Sequence, residues 1–202
     1  MGDRPLAGRE QRTLQLLKKM GITRGDIKTL TVIVGSTLLL VLERYHNLGG
    51  NAWISALIFY LIIPLAIIGL VLREDPRRWG MALGDGRKGL LYALGTIAAV
   101  AAVIAFVSRL PEFRSYYAVK AFADPRGIPG YALENLLFMI GWEYLFRGFL
   151  LFGLAERFGR WAILLQAVPF AVAHLGKPEL ETLSTIFGGS WFGWVAWDAR
   201  AV

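Results

Sequence analysis

The 202-residue chain contains no cysteine, which excludes disulfides, thiolate nucleophiles and Cys-ligated metals, and leaves redox chemistry silent on compartment. Histidine is nearly as scarce. There are two, His46 and His174; a zinc centre needs about three protein ligands, and only Glu143 and His174 are available at membrane depth, His46 lying in the first outer loop. Charged residues make up only 18% of the chain and gather in short clusters. No internal repeat, low-complexity stretch or soluble linker interrupts it. Met1 to Asp26 is polar and basic and lacks the apolar core and small-residue cleavage site of a signal peptide.

What is abundant is apolar. Hydrophobic residues account for 55% and the mean hydropathy is +0.49, well above an ordinary soluble domain. The net charge of +7 comes from basic residues that flank apolar runs. That is the arrangement of topogenic charge rather than of a nucleic-acid surface, so no nucleic-acid partner is expected.

Taken in order, residues 1–26 read as a basic segment in which Leu14, Leu17 and Met20 recur at helical spacing opposite Arg12, Lys18 and Lys19, as in a helix lying on a membrane surface. Residues 27–202 read as one transmembrane helical domain. Its apolar segments are Leu30 to Leu42, Ala52 to Leu72, Gly89 to Val107, Tyr131 to Phe158, Arg160 to Leu175, and a sixth that starts at Pro178. The first is short for a span of about 20 residues and needs Lys28 and Arg44 to snorkel at its ends. Arg73 to Lys88 is a turn-rich basic loop, and Arg109 to Pro129 carries interfacial aromatics. The fold class is therefore all-α, a polytopic bundle of about six transmembrane helices plus an N-terminal interfacial helix. With the N-terminus inside, 15 Lys and Arg fall on the inner side and six on the outer. This predicts a multi-pass protein of a bacterial cytoplasmic membrane with both termini in the cytoplasm.

Within the fourth segment, Glu143 and Arg147 stand four residues apart in an otherwise apolar run, GWEYLFRGFL. Positions i and i+4 share a helix face, and ionisable groups at membrane depth mark function or a structural ion pair. Counting up from the turn at Glu156 to Arg160, Glu143 lies roughly 20 Å and His174 roughly 21 Å into the membrane. Arg147 is level with Phe170, and Gln166, Phe170 and His174 fall on one stripe of the fifth helix. A Glu, an Arg and a His meeting there can hold a water and exchange its proton. No cofactor and no metal are called for. On the sixth helix Thr185, Gly189 and Gly193 form a small-residue stripe suited to close helix contact, within the domain or with another protein.

These residues carry a resemblance. Glu143-Tyr-Leu-Phe-Arg147-Gly148-Phe149-Leu150, followed by Phe170-Ala-Val-Ala-His174, resembles the first two motifs of the CPBP family of intramembrane endopeptidases, also called the Abi or CAAX-protease family. Arg78 to Arg87 resembles the approach to that family's core, so the similarity runs from about Trp79 to the end. It implies metal-independent amide hydrolysis in the membrane, with Glu143 polarising water, His174 donating to the oxyanion and Arg147 holding the glutamate. Two departures stand out. The family's first motif opens with two glutamates, and Trp142 occupies the leading position. Its third motif, a histidine followed four positions on by Asn or Asp, has no counterpart from Ser184 to Val202, so either the core continues past Val202 or its last helices are lost.

Two functions follow. One is an intramembrane peptidase acting on a membrane-tethered peptide. The other is a catalytically silent relative that serves as an accessory or scaffold subunit beside a partner membrane protein. In either case membrane lipids surround it. A transporter fits less well, because there is no inverted repeat and only one buried charged cluster.

Overall fold

The computed structural model describes residues 19, 21–46, 48–82, 84–123 and 127–202. The amphipathic N-terminal segment expected over residues 1–26 lies almost wholly outside these. All regular structure among the described residues is helical.

Helix α1 (Arg24–Tyr45) opens on a capping box, in which Thr23 accepts from the Asp26 N–H and Asp26 accepts from the Thr23 N–H. It is longer than the apolar run predicts. Lys28 does not reach for water at its end; it pairs with Glu74 and Glu156, each at 2.9 Å. Helix α2 occupies Ala52–Leu72, the predicted range. It widens into two π-helical stretches, Leu57–Ile62 and Ile67–Leu72, and the first stands directly before Pro64, which has no N–H to continue an α ladder.

A 3₁₀ turn at Pro76–Trp79 leads to α3 (Gly86–Val107), and α4 (Pro111–Ala123) follows. Helix α5 runs as α-helix over Gly127–Glu143, as π-helix over Tyr144–Leu150 and as α-helix again over Leu151–Phe158. Gly159, with φ of 52°, caps it, a conformation that costs glycine nothing. The chain then reverses into α6 (Ala162–Val172) and, after a turn, α7 (Glu179–Ala199).

Among the described residues four stretches are long and apolar enough to cross a membrane: Arg24–Tyr45, Ala52–Leu72, Gly86–Val107 and Gly127–Val172. The last of these takes in both arms of the reversal at Gly159, expected as two segments. The 11 residues of α6 rise only about 16 Å, half a span, and they continue the long stretch after its reversal at Gly159. Helix α7 carries Glu179, Glu181 and Asp198 among small and polar residues, which dilutes its apolar character. The protein is an integral membrane helical bundle.

The core sits where α1, α2, α5 and α6 meet, around Tyr60, Phe146, Phe149 and Leu151. Helix α3 stands apart, with none of its residues buried. It is held against α7 along its first half, where Tyr92 and Lys88 bond Asp198, the Asp85 N–H donates to the Ala199 carbonyl and the Trp191 indole N–H donates to Thr96.

Candidate functional site

Two glycines set the depth of the charged pair. A Cβ at Gly141 would stand 2.5 Å from the Ala56 carbonyl oxygen, and one at Gly148 would stand 3.0 Å from that of Trp79. Their bare backbones therefore let α5 lie directly against α2 and the basic loop. Between them the helix widens, and the Leu151 N–H reaches back five residues to the Phe146 carbonyl. Isolated π turns of this kind recur at functional sites.

Arg147 lies in that widened turn and is 1% exposed. Its Nε is 3.2 Å from Glu143 Oε2. This is an ion-pair contact without hydrogen-bond alignment, since none of the three guanidinium nitrogens has a hydrogen-bond partner among the described residues. The guanidinium instead lies on aromatic faces, 4.2 Å from the Phe170 ring centroid and 5.4 Å from that of Phe192, which offsets part of its desolvation. The Glu143 side chain is 34% exposed.

His174 sits in the turn after α6 and is 7% exposed. Its Nδ1 is 2.7 Å from the Phe170 carbonyl oxygen. A carbonyl only accepts, so Nδ1 carries the proton and the neutral ring keeps its lone pair on Nε2. Burial pushes the imidazole pKa below its ordinary value, and the Phe170 carbonyl opposes that only in part. The turn is pinned from both sides, because the Lys177 N–H and the Thr182 hydroxyl both donate to the His174 carbonyl.

Two rings among the described residues pack on this histidine, Phe170 with its centroid 4.5 Å away and Trp142. The Trp142 ring centroid is 5.7 Å from that of His174, 6.0 Å from Phe170, 4.9 Å from Phe146 and 5.8 Å from Tyr60. The structure thus gathers Trp142, Arg147, Phe170 and His174 into one aromatic-lined cluster, with Glu143 attached through Arg147. Glu143 and His174 share no hydrogen bond or ion pair among the described residues.

Gln166 is buried beside this cluster and donates to the carbonyls of Ile163, 2.9 Å, and of Gly189 on α7, 2.7 Å. The small-residue stripe of α7 lies on the same seam. A Cβ at Gly189 would meet Phe170 at 2.8 Å and one at Gly193 would meet Gln166 at 2.6 Å, while Thr185 is buried. The stripe therefore serves contact within the chain.

Two polar links have no counterpart in the sequence reading. The Tyr60 hydroxyl donates to Glu43 at 2.9 Å, and both line a groove of about 760 Å³ between α1 and α6 that reaches Trp142. The Tyr117 hydroxyl donates to both Glu181 oxygens, 2.7 and 2.6 Å away, tying α4 to α7. Burial, then the Glu181 carboxylate, raises the pKa of that phenol. Each link joins distant parts of the chain, and nothing local in the sequence signals it. Among the described residues no group of three or more His, Asp or Glu side chains is placed to hold a metal ion.

Residues 126–202, which hold the charged pair, its histidine and the α6–α7 seam, match the family described as type II CAAX prenyl endopeptidase Rce1-like. Over this segment the chain is similar to that family. The basic segment 78–87 falls outside the matched residues. No curated protein and no solved structure matches the chain.

Proposed function

We propose that this CAAX-protease-like membrane protein is catalytically silent and works as an accessory or scaffold subunit in a membrane complex. One observation carries the reading: the indole of Trp142, beside the Phe170 ring, packs edge-on against His174. Water activation by a carboxylate and an imidazole needs both within hydrogen-bond reach of one water. An apolar ring packed against the imidazole removes that volume and offers no acceptor. Glu143, on the adjacent helix position, is spent on Arg147. Helix α3, none of whose residues is fully buried, leaves a membrane-facing surface for lipid and a partner helix. The segregation of basic residues supports a cytoplasmic location for both termini.

A second reading keeps the peptidase. It is favoured by the free lone pair of His174 Nε2 and by the partial exposure of Glu143, which together would let Glu143 polarise a water whose proton passes to His174. The substrate class would then be the one in the family's description, a prenylated CAAX peptide at the membrane.

Processing of a membrane-tethered peptide by wild type, Glu143→Ala and His174→Ala in vesicles decides between them. The silent reading expects all three at background. Hydrolysis by wild type that either substitution abolishes overturns it.

A further inference from the structure

We propose that the cavity at the basic end of the bundle binds the headgroup phosphate of an anionic phospholipid, with an acyl chain laid along the end of α2. This inference is independent of whether the site above turns over. The cavity has a volume of about 1280 Å³ and lies between the start of α1, the end of α2, the basic loop and the end of α5. Among the described residues, Arg24, Lys28, Arg73 and Arg78 line it together with the carboxylates of Glu74 and Glu156.

Both carboxylates are already satisfied from within. Lys28 bridges them at 2.9 Å each, and the Trp79 indole N–H donates to Glu74 at 3.0 Å. Lys28 also lies 4.8 Å from the Trp79 ring centroid, so its position is fixed by three neighbours. Arg24 and Arg78 are exposed; neither makes a close ion pair or hydrogen bond among the described residues, and Arg24 acts on Glu156 only at longer range. A phosphate supplies the acceptors such forks match.

The wall beneath the guanidiniums identifies the ligand as a lipid. Leu70 and Val71 line the same cavity, are exposed, and belong to a membrane-crossing segment. Ile27 continues the apolar wall on α1. A soluble anion has no use for that surface. A phospholipid needs both halves, the charge at the helix ends and the apolar strip one turn further into the membrane.

The test uses the full chain, purified in mild detergent and returned to phosphatidylcholine nanodiscs doped with phosphatidylglycerol, with retained lipid read by native mass spectrometry. Wild type is expected to retain phosphatidylglycerol over phosphatidylcholine. A guanidinium near a charged membrane surface is worth about fivefold, so R24Q/R78Q should lose on the order of 25-fold in preference. The charge-matched control R77Q/R87Q removes two exposed arginines that do not line the cavity and should stay within about twofold of wild type. Equal loss in the control shows diffuse surface charge and overturns the proposal, as does unchanged retention in R24Q/R78Q. Competition by glycerol phosphate or inorganic phosphate as effective as that by short-chain phosphatidylglycerol shows an anion site without a lipid strip and overturns it too.

Discussion

Trp142 meets His174 edge to face, with ring centroids 5.7 Å apart and planes at 70°. Across the α5–α6 hairpin the imidazole therefore looks onto an indole, and the carboxylate of the next residue turns to Arg147. Sequence neighbours on a helix point roughly 100° apart, so Glu143 cannot take over the direction of position 142 without rotating α5 out of its contact with Ala56.

Replacing Trp142 with alanine removes the ring shared by Tyr60, Phe146, Phe170 and His174. The expected loss is about 3–5 kcal/mol of stability, read from denaturant unfolding in micelles. A loss below about 1 kcal/mol would show that the indole does not organise this cluster.

Arg147 and Glu143 should behave as a coupled pair. Arg147→Met strands a carboxylate in an apolar setting and is expected to cost on the order of 3 kcal/mol, whereas the double replacement Glu143→Gln with Arg147→Met should fall within about 1 kcal/mol of wild type. Additive losses in the same unfolding assay would refute the coupling.

Helix approach is tested by a pair of glycine replacements. Gly141→Ala drives a methyl into the Ala56 carbonyl and should destabilise by about 1–3 kcal/mol. Gly95→Ala, with nothing within 4 Å of the new Cβ, should be neutral or gain up to about 1 kcal/mol from helix propensity.

His174 gives stability a defined pH dependence. Burial places its folded pKa below its ordinary value of about 6.5. The unfolded chain therefore binds the proton first as pH falls. Its contribution is full above pH about 6.5 and is lost as pH drops through that value toward the folded pKa. Thermal midpoints of wild type should fall between pH 8 and pH 5, and His174→Asn, which keeps a donor for the Phe170 carbonyl but does not titrate, should show a smaller fall over that interval. Equal slopes would place the pH dependence elsewhere.

Much of the architecture was legible in the order of residues, because the signals are local. Ala52–Leu72 and the reversal at Gly159 follow from apolar run length and glycine placement. The pairing of Glu143 with Arg147 follows from i, i+4 spacing, and the levelling of Arg147 with Phe170 follows from counting rise per residue. One expectation failed for a reason equally physical. Lys28 turned inward because Glu74 and Glu156, far away in sequence, arrive beside it.

Composition and spacing alone determined that this is a membrane-embedded helical protein, and they predicted one glutamate, one arginine and one histidine at a common depth. Which of those groups face one another was decided only by the packing of α5 on α2 and α6. The direction of a side chain depends on helix rotation and on the π turn at Tyr144–Leu150, and both are set by close backbone approach at Gly141 and Gly148. Contacts of that kind join residues remote in the chain and leave no periodic trace in it.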